Sequence, residues 1–411
     1  MAQPTSISDA LSTAFAHIDA GRTEEARKLA RVLAKQTPEP PGLAYLEALI
    51  ALADNDGAKA ARHLMRALKV TPEAPPLLLA MARAQALQNR LAEAEEHYRH
   101  LVQKTPTAEA GRVELAALLA KRGIAHRDKS ELAMAAALFG EAASFDPNAA
   151  LAYMLLGETR EKLGAKSDAI AAFRQALALD PEDRHGATLA LARLGEAAAP
   201  DQAPAAFVRQ LFDDYADGFE ASLVDKLHYR APALLLDAIR RIHGDGPFDV
   251  FDAGCGTGLM GAALKPFARR LDGGDLSPRM VEKARARDIY DALAAGEVTD
   301  LLGAAPLRYD LVVAADVLVY IGDLAPLFVA VDTALKPGGG FAFTVETNIQ
   351  ETGMDQEWRL SESGRYAHNS DYLRRLAAER GWTVAALDAV STRDDRGAPV
   401  PGLLSVMRKP T

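Results

Sequence analysis

The chain has 411 residues with 47 Lys and Arg, 56 Asp and Glu, nine His and a single Cys, giving a formal net charge of −9. That length exceeds what one hydrophobic core usually holds, so two domains are expected. The acidic balance argues against bulk nucleic acid as a substrate, one Cys excludes an intrachain disulfide and a cysteine metal cluster, and histidines lacking H-x-H or H-x-x-x-H spacing call for no metal.

The N-terminus, Met1-Ala2-Gln3-Pro4-Thr5-Ser6, lacks a basic-then-apolar export signal, and no apolar run approaches the roughly 20 residues that cross a bilayer. A cytoplasmic protein with no membrane partner is expected. Helical periodicity then runs to about residue 194 and is punctuated by Pro38, Pro72, Pro106, Pro147 and Pro181, at intervals of 34, 34, 41 and 34 residues. Each of these prolines removes a backbone donor and restricts its predecessor, so it ends a helix. Small residues recur between them: Ala26, Ala30, Ala48, Ala60, Ala67, Ala82 and Ala94, then Gly157, Ala169 and Ala176 beside Tyr153, Leu156 and Phe173. A period of 34 with this scheme resembles the tetratricopeptide repeat, and the resemblance implies about five helical hairpins stacked as a solenoid over residues 1–194. The long interval places a seven-residue extension at Lys121 to Lys129.

Residues 195–204 lose the apolar periodicity and carry Pro200 and Pro204, which marks a linker before a second domain, 205–411. Phe207, Leu211, Phe212, Tyr215 and Phe219 recur at helical spacing, and Pro232 to Ile242 reads as a further helix. An apolar strand then ends in Asp252-Ala253-Gly254-Cys255-Gly256-Thr257-Gly258, and a helix follows from Leu259 to Phe267. Glycines in such a turn let a nucleotide-sized cofactor lie against the backbone at a helix N-terminus. Cys255 reads as a small residue with a usable carbonyl, with no local base to make it a nucleophile. Because Gly256 to Gly261 also fits G-x-G-x-x-G, a nicotinamide cofactor competes with a sulfonium one. Asp275, 21 residues beyond Gly254 and followed by Leu276, suits the ribose of either.

Three further features accompany these: Asp252 before the glycines, a strand Leu311 to Ala315 ending at Asp316, and Leu335-Lys336-Pro337-Gly338-Gly339-Gly340 leading into strand Phe341 to Glu346. Together they resemble the class I S-adenosylmethionine-dependent methyltransferases. The resemblance implies an α/β Rossmann-like fold of seven mostly parallel strands, closed by an antiparallel pair at Gly381 to Val390 and Leu403 to Lys409. It implies that Asp252 holds the methionine amino group, that Gly254, Cys255, Gly256 and Gly258 pass under the methionine, and that Asp275 binds the ribose. Glu297 and Val298 would meet the adenine, with Asp300 competing for the role of Glu297. Asp316 would lie beside the transferable methyl, and helices before the first strand would cover the cofactor, with Tyr215 and Tyr229 as contacts. Val317-Leu318-Val319 departs from the Pro-Pro-aromatic sequence of many amide and exocyclic amine methylases.

For the acceptor, Tyr320, Glu346, Arg365, Tyr366 and His368 are the candidates, with Tyr320 and His368 as catalytic residues and His368 as the base. The repeats, Arg-Tyr-Ala-His at 365–368 and the ending Arg396 to Gly402 resemble a bacterial group of methyltransferases with an N-terminal tetratricopeptide region. The charge is uneven: residues 1–200 carry 24 basic and 25 acidic side chains, residues 201–411 carry 23 and 31. A small-molecule enzyme whose repeats bind a protein partner or self-associate is the favoured reading. A protein methyltransferase guided by the repeats, a nicotinamide-dependent oxidoreductase and a non-catalytic repeat scaffold are the alternatives.

Overall fold

The computed structural model describes residues 6–218, 220, 229–347, 356–395 and 397–411, so Phe219 and Arg396 of the expectations above lie outside the described residues. Two compact units are present, Met1–Ala172 and Phe173–Thr411.

The first unit is helical throughout. Helices alternate as α1 (Ile7–Asp19) and α2 (Thr23–Leu33), α3 (Leu43–Ala53) and α4 (Gly57–Val70), α5 (Pro75–Leu87) and α6 (Leu91–Lys104), then α7 (Glu109–Asp128), α8 (Leu132–Phe145) and α9 (Ala150–Lys162), with α10 (Lys166–Leu179) crossing its end. Ala26, Ala48, Ala60, Ala82 and Ala94 are fully buried, which is what the repeated small positions require if paired helices are to approach closely. The expected extension lengthens α7 to 20 residues. Its added turn packs Gly123 so tightly on Phe139 that a Cβ there would lie 2.5 Å from the ring.

The second unit begins earlier than the prolines at 200 and 204 suggest. Helix α11 (Ala187–Arg193) carries Leu189 into a cluster with Ala203 and Tyr366, and helix α12 (Ala205–Tyr215) brings Phe207 and Val208 against the same cluster. The stretch expected as a linker is a strap fixed to the second unit. The Ala203 N–H donates to the Tyr320 carbonyl at 2.8 Å, Gly322 and Asp323 N–H groups donate to the Asp201 carbonyl at 2.7 and 2.8 Å, and the Tyr366 hydroxyl donates to the Pro200 carbonyl at 2.7 Å. Proline and alanine composition reads as a spacer, but these main-chain bonds are invisible to it.

After α13 (Ala231–His243) the chain alternates strand and helix: β1 (Phe248–Ala253), α14 (Leu259–Leu264), β2 (Ala268–Asp275), α15 (Pro278–Arg285), β3 (Ala292–Ala295), α16 (Val298–Gly303), β4 (Tyr309–Ala314), α17 (Ala325–Ala334) and β5 (Leu335–Glu346). The short β6 (Trp358–Leu360) and β7 (Tyr366–His368) follow, then α18 (Ser370–Glu379), β8 (Thr383–Val390), β9 (Asp394–Asp395), β10 (Ala398–Pro399) and β11 (Gly402–Arg408). The main sheet runs β3-β2-β1-β4-β5-β11-β8, parallel from β3 to β5 and antiparallel at β11 and β8. Seven strands were expected; β7 adds to the end of β5 through Glu346 and Ala367, β6 pairs with β7, and β9 and β10 form a separate ribbon. Strands of two or three residues are too short to show a period.

Side chains alternate across the sheet, as pleating demands. Phe251, Val312, Ala314, Phe341 and Phe343 face Phe328, Leu373 and Trp382 on one side. Val250, Leu311, Val313 and Ala342 face Leu235, Ile239 and Met260 on the other. Both faces are thus covered by helices, and the carboxyl edge of β1, β2, β4 and β5 is where a ligand is received in such sheets.

Candidate active site

Local sequence fixes the turn after β1. Gly254, Gly256 and Gly258 have φ of 67°, 52° and 91°. A Cβ at Gly254 would sit 2.3 Å from Val317, and the N–H of Gly256 donates to Asp275 Oδ2 at 2.8 Å. Asp275 Oδ1 accepts from the Ser277 N–H at 2.9 Å, so one carboxylate ties the glycine turn to the start of α15. Burial raises the Asp275 carboxyl above its ordinary value, against those backbone donors.

Behind the turn lies Asp252, 1% exposed and, like Cys255 and Gly258, outside the cavity wall that was expected to include it, because its side chain turns back beneath the glycines. Tyr290 donates to its Oδ2 at 2.6 Å. Burial lifts the Asp252 carboxyl to about 7, with the Asp275 charge adding to the rise and the Tyr290 hydroxyl opposing it. Cys255 is buried, its thiol is pushed up by that burial, and its carbonyl accepts from the Gly258 N–H at 2.8 Å, which fits a turn residue and not a nucleophile.

A cavity of about 550 Å³ opens above this turn. Its wall includes Gly254, Gly256, Asp275, Leu276, Glu297, Val298 and Asp316, all of them sequence candidates. Asp300 is absent from the wall among the described residues, and Glu297, the residue that precedes α16, has its carboxyl raised by burial and then by Asp300. Asp316 has a left-handed φ of 56°, an uncommon conformation for a residue other than glycine. It is held there by a two-way contact, its N–H donating to Thr344 Oγ1 and the Thr344 hydroxyl donating back to Oδ1, each at 2.9 Å. Thr392 also donates to Asp316 Oδ1, at 3.1 Å.

The roof is the strap and the helix after it: Pro200, Asp201, Gln202, Ala203, Val208 and Phe212, with Tyr229 and Tyr320 beside them. Asp213 on α12 accepts from the Ser277 hydroxyl at 2.5 Å and Arg279 reaches Asp217 at 2.7 Å, pinning the roof to the loop after Asp275. Tyr215, expected as a lid contact, is 53% exposed and is not part of the wall; α12 ends at that residue, and Phe212, one turn earlier, faces inward instead. Tyr229 does reach the wall.

His368 is not placed to act as a base. It is fully buried, its ring is stacked on Tyr372, and its Nε2 meets the Gly322 carbonyl at 3.0 Å. Burial lowers it to about 4, and it does not line the cavity. Its position on β7 turns it into the core, an orientation that a loop reading of Arg365 to Ser370 conceals. We expect His368→Ala to leave the pH profile of turnover unchanged while costing about 2 to 3 kcal/mol of stability by removing a buried, hydrogen-bonded ring. Denaturant unfolding and rate measurements across pH check this.

Tyr320 lines the cavity, edge-on to Phe212 with ring centroids 5.5 Å apart, and burial raises its hydroxyl above the usual value. Glu346, at the end of β5, is lifted to about 7 by burial, with Arg365 opposing the rise. Tyr290, Phe212 and Arg393 were not singled out from the sequence as site residues. Tyr290 carries a signal only in hindsight: Gly261 and Gly273 both abut its ring.

The turn lies in a stretch that is similar to known proteins. Residues 251–341 match a family model described as Methyltransferase domain, and residues 150–183 match one described as Tetratricopeptide repeat. The chain carries a methyltransferase domain. S-adenosylmethionine is the cofactor that this domain supports, and Gly256 to Gly261 lies within the matched span. The chain is 31% identical over 160 residues to a ubiquinone biosynthesis O-methyltransferase of Methylobacterium sp., a match covering 33% of this chain and 60% of that protein. It is 26% identical over 122 residues to a malonyl-[acyl-carrier protein] O-methyltransferase of Pseudescherichia vulneris, covering 30% and 48%. The chain spans about half the length of the curated relatives it matches. Among solved structures, magnesium protoporphyrin IX methyltransferase of Synechocystis with bound cofactor aligns at a TM-score of 0.40 and 16% identity, covering 52% of this chain and 99% of that one. Among the described residues, no helix is long and apolar enough to cross a membrane.

The residues present fit the cofactor. Gly254 and Gly256 put bare backbone in the cavity wall where the methionine part would pass, and Asp275 stands beside them at the carboxyl end of β2.

Proposed function

We propose that the second unit transfers the methyl group of S-adenosylmethionine to a small acceptor received in the same cavity. One observation carries the reading: Gly254, Asp275 and Glu297, on the cofactor side, share a single roofed cavity with Tyr229, Tyr320 and Arg365. Asp252 would pair with the methionine ammonium, Asp275 would accept from the ribose hydroxyls, and Glu297 with Val298 would meet the adenine. When bound, the cofactor supplies an electrophilic methyl on a sulfonium whose leaving group is a neutral thioether. The chain then has mainly to hold an acceptor in line and keep water out, and such positioning is worth on the order of 7 to 11 kcal/mol. Tyr320 keeps its proton at neutral pH and acts as a donor that orients the acceptor, not as a base.

The roof favours a small molecule over a polypeptide segment, since the strap and α12 close over the space that a chain would need. Tetratricopeptide hairpins present extended surfaces, so the first unit is assigned to binding a protein partner or a second copy, in the cytoplasm. We read its last repeat as residues 150–183, with residues 184–204 belonging to the catalytic unit. Labelled-methyl transfer into a cell extract, sorted into protein and metabolite fractions, tests this reading. Label in metabolites is expected, label in protein alone would favour the repeat-guided protein methyltransferase, and no binding of S-adenosylmethionine at millimolar concentration would favour the scaffold.

A further inference from the structure

Arg393 is the least explained charged group in the cavity wall. Its side chain is 8% exposed, Nη2 donates to Glu346 Oε1 at 2.6 Å, and Nη1 is buried with no hydrogen-bond partner among the described residues. Buried guanidinium donors are almost always satisfied, so an idle one on a residue of the cavity wall points to a ligand acceptor atom. Arg365 stands beside it, with Nη1 3.3 Å from the same Glu346 oxygen and its guanidinium 5.8 Å from the centre of the Tyr320 ring. Two guanidiniums thus share the Glu346 carboxylate, with Asp316 as the further acid that Arg365 feels.

Position within the sheet separates this charge from the acids of the cofactor side. Glu346, which anchors both arginines, ends β5, whereas Asp275 ends β2, and the order β2-β1-β4-β5 puts three strand spacings of about 4.8 Å between them. The oxygens of the other wall acids are engaged within the protein: Asp316 accepts from the Thr344 and Thr392 hydroxyls, and Asp323 Oδ1 accepts from the Tyr372 hydroxyl at 2.7 Å and from the Ala325 N–H. A planar fork with a free N–H matches a carboxylate in geometry and sign.

Building on the methyltransferase reading, we propose that the acceptor carries a carboxylate and that Arg393, with Arg365, receives it at the β5 end of the cavity. Glu346 is then a positioning residue that holds both guanidiniums toward the acceptor, and Tyr320, under Arg365, supports the organic part. A phosphate dianion is a poorer match, because a single idle donor and mainly apolar neighbours such as Val208, Phe212 and Leu318 would leave its oxygens unpaired.

The test uses the full chain saturated with S-adenosylhomocysteine and calorimetric titration of benzoate, 3-phenylpropionate and octanoate, each beside its primary amide, with phenyl phosphate as a further probe. At least one acid is expected to bind about tenfold or more tightly than its amide. Arg393→Gln should bring that pair within about twofold, and Arg393→Lys should restore part of the difference. Equal binding of every acid and its amide, no binding of any acid, or tighter binding of phenyl phosphate would overturn the proposal, and the unmodified protein alone decides each of these. Titration with S-adenosylhomocysteine in the same series separates the two levels: its failure to bind removes the methyltransferase reading, whereas intact cofactor binding with no preference for acids removes only the carboxylate site.

Discussion

Asp275→Ala is expected to weaken S-adenosylmethionine binding by at least about 100-fold while leaving the protein folded. Asp275 has two tasks on one side chain. In the ligand-free protein its oxygens accept the Gly256 and Ser277 N–H groups, and in the proposed complex they also accept from the ribose. A hydrogen bond to a charged group contributes about 1.5 to 3 kcal/mol, so losing the ribose contacts and the order of the glycine turn together exceeds 2.7 kcal/mol, or roughly two decades. Folding should suffer less, because burial raises this carboxyl and its ionised form is costly in the native state. Asp275→Asn separates the tasks: one carbonyl oxygen can still accept an N–H, so an intermediate loss is expected. Calorimetric titration with the cofactor, alongside thermal unfolding, checks both variants. Unchanged affinity in a folded Asp275→Ala protein would move the ribose elsewhere.

The parts of this molecule that sequence makes legible are those specified within a short stretch of chain. A strand ending in Asp252, a turn of glycines with positive φ and a helix from Leu259 are adjacent, so their residue types identify the cradle directly. Prolines at 34-residue intervals locate the helical pairs for the same reason, since each ends its helix by local chemistry. What escapes is contact between distant stretches. Tyr290 lies 38 residues from the Asp252 that it holds, and nothing near it announces a hydrogen-bond donor for that acid. Arg393 sits in a polar stretch that composition reads only as a loop, yet Glu346, 47 residues earlier, draws it into the cavity wall. His368 shows the converse error: an ionisable residue in an apparent loop looks available, and pairing of β7 with β5 turns it inward. The strap 200–204 combines both effects, because a spacer-like composition hides main-chain hydrogen bonds to the loop after β4. Helix phase gives the roof only approximately, so Phe212 and not Tyr215 reaches the cavity.

If Asp252 pairs with the methionine ammonium as proposed, cofactor affinity should rise with pH up to about 7 and then level off, because that carboxyl must first lose a proton. In the free protein, burial and the nearby Asp275 lift this carboxyl from 3.8 to about 7. Between those two values the folded chain keeps a proton that the unfolded chain has released. Asp252 therefore contributes stability that is fully present below 3.8 and is lost as pH rises through about 7. A bound ammonium reverses the balance, since an opposite charge in a low-dielectric site favours the carboxylate. Binding below about pH 7 must then expel the proton, and affinity climbs toward tenfold per pH unit in the limit where Asp252 is fully protonated. Calorimetry in buffers of different ionisation enthalpy should report release approaching one proton at about pH 6 and little at about pH 8. Asp252→Asn should abolish the slope and bind more weakly at the upper end, because its amide offers no charge to the ammonium. Tyr290→Phe should shift the rise to higher pH, as the hydroxyl that now favours the ionised form is gone. A flat affinity profile with no proton release in the unmodified protein would place the ammonium on a different acceptor and leave Asp252 as a support for the turn alone.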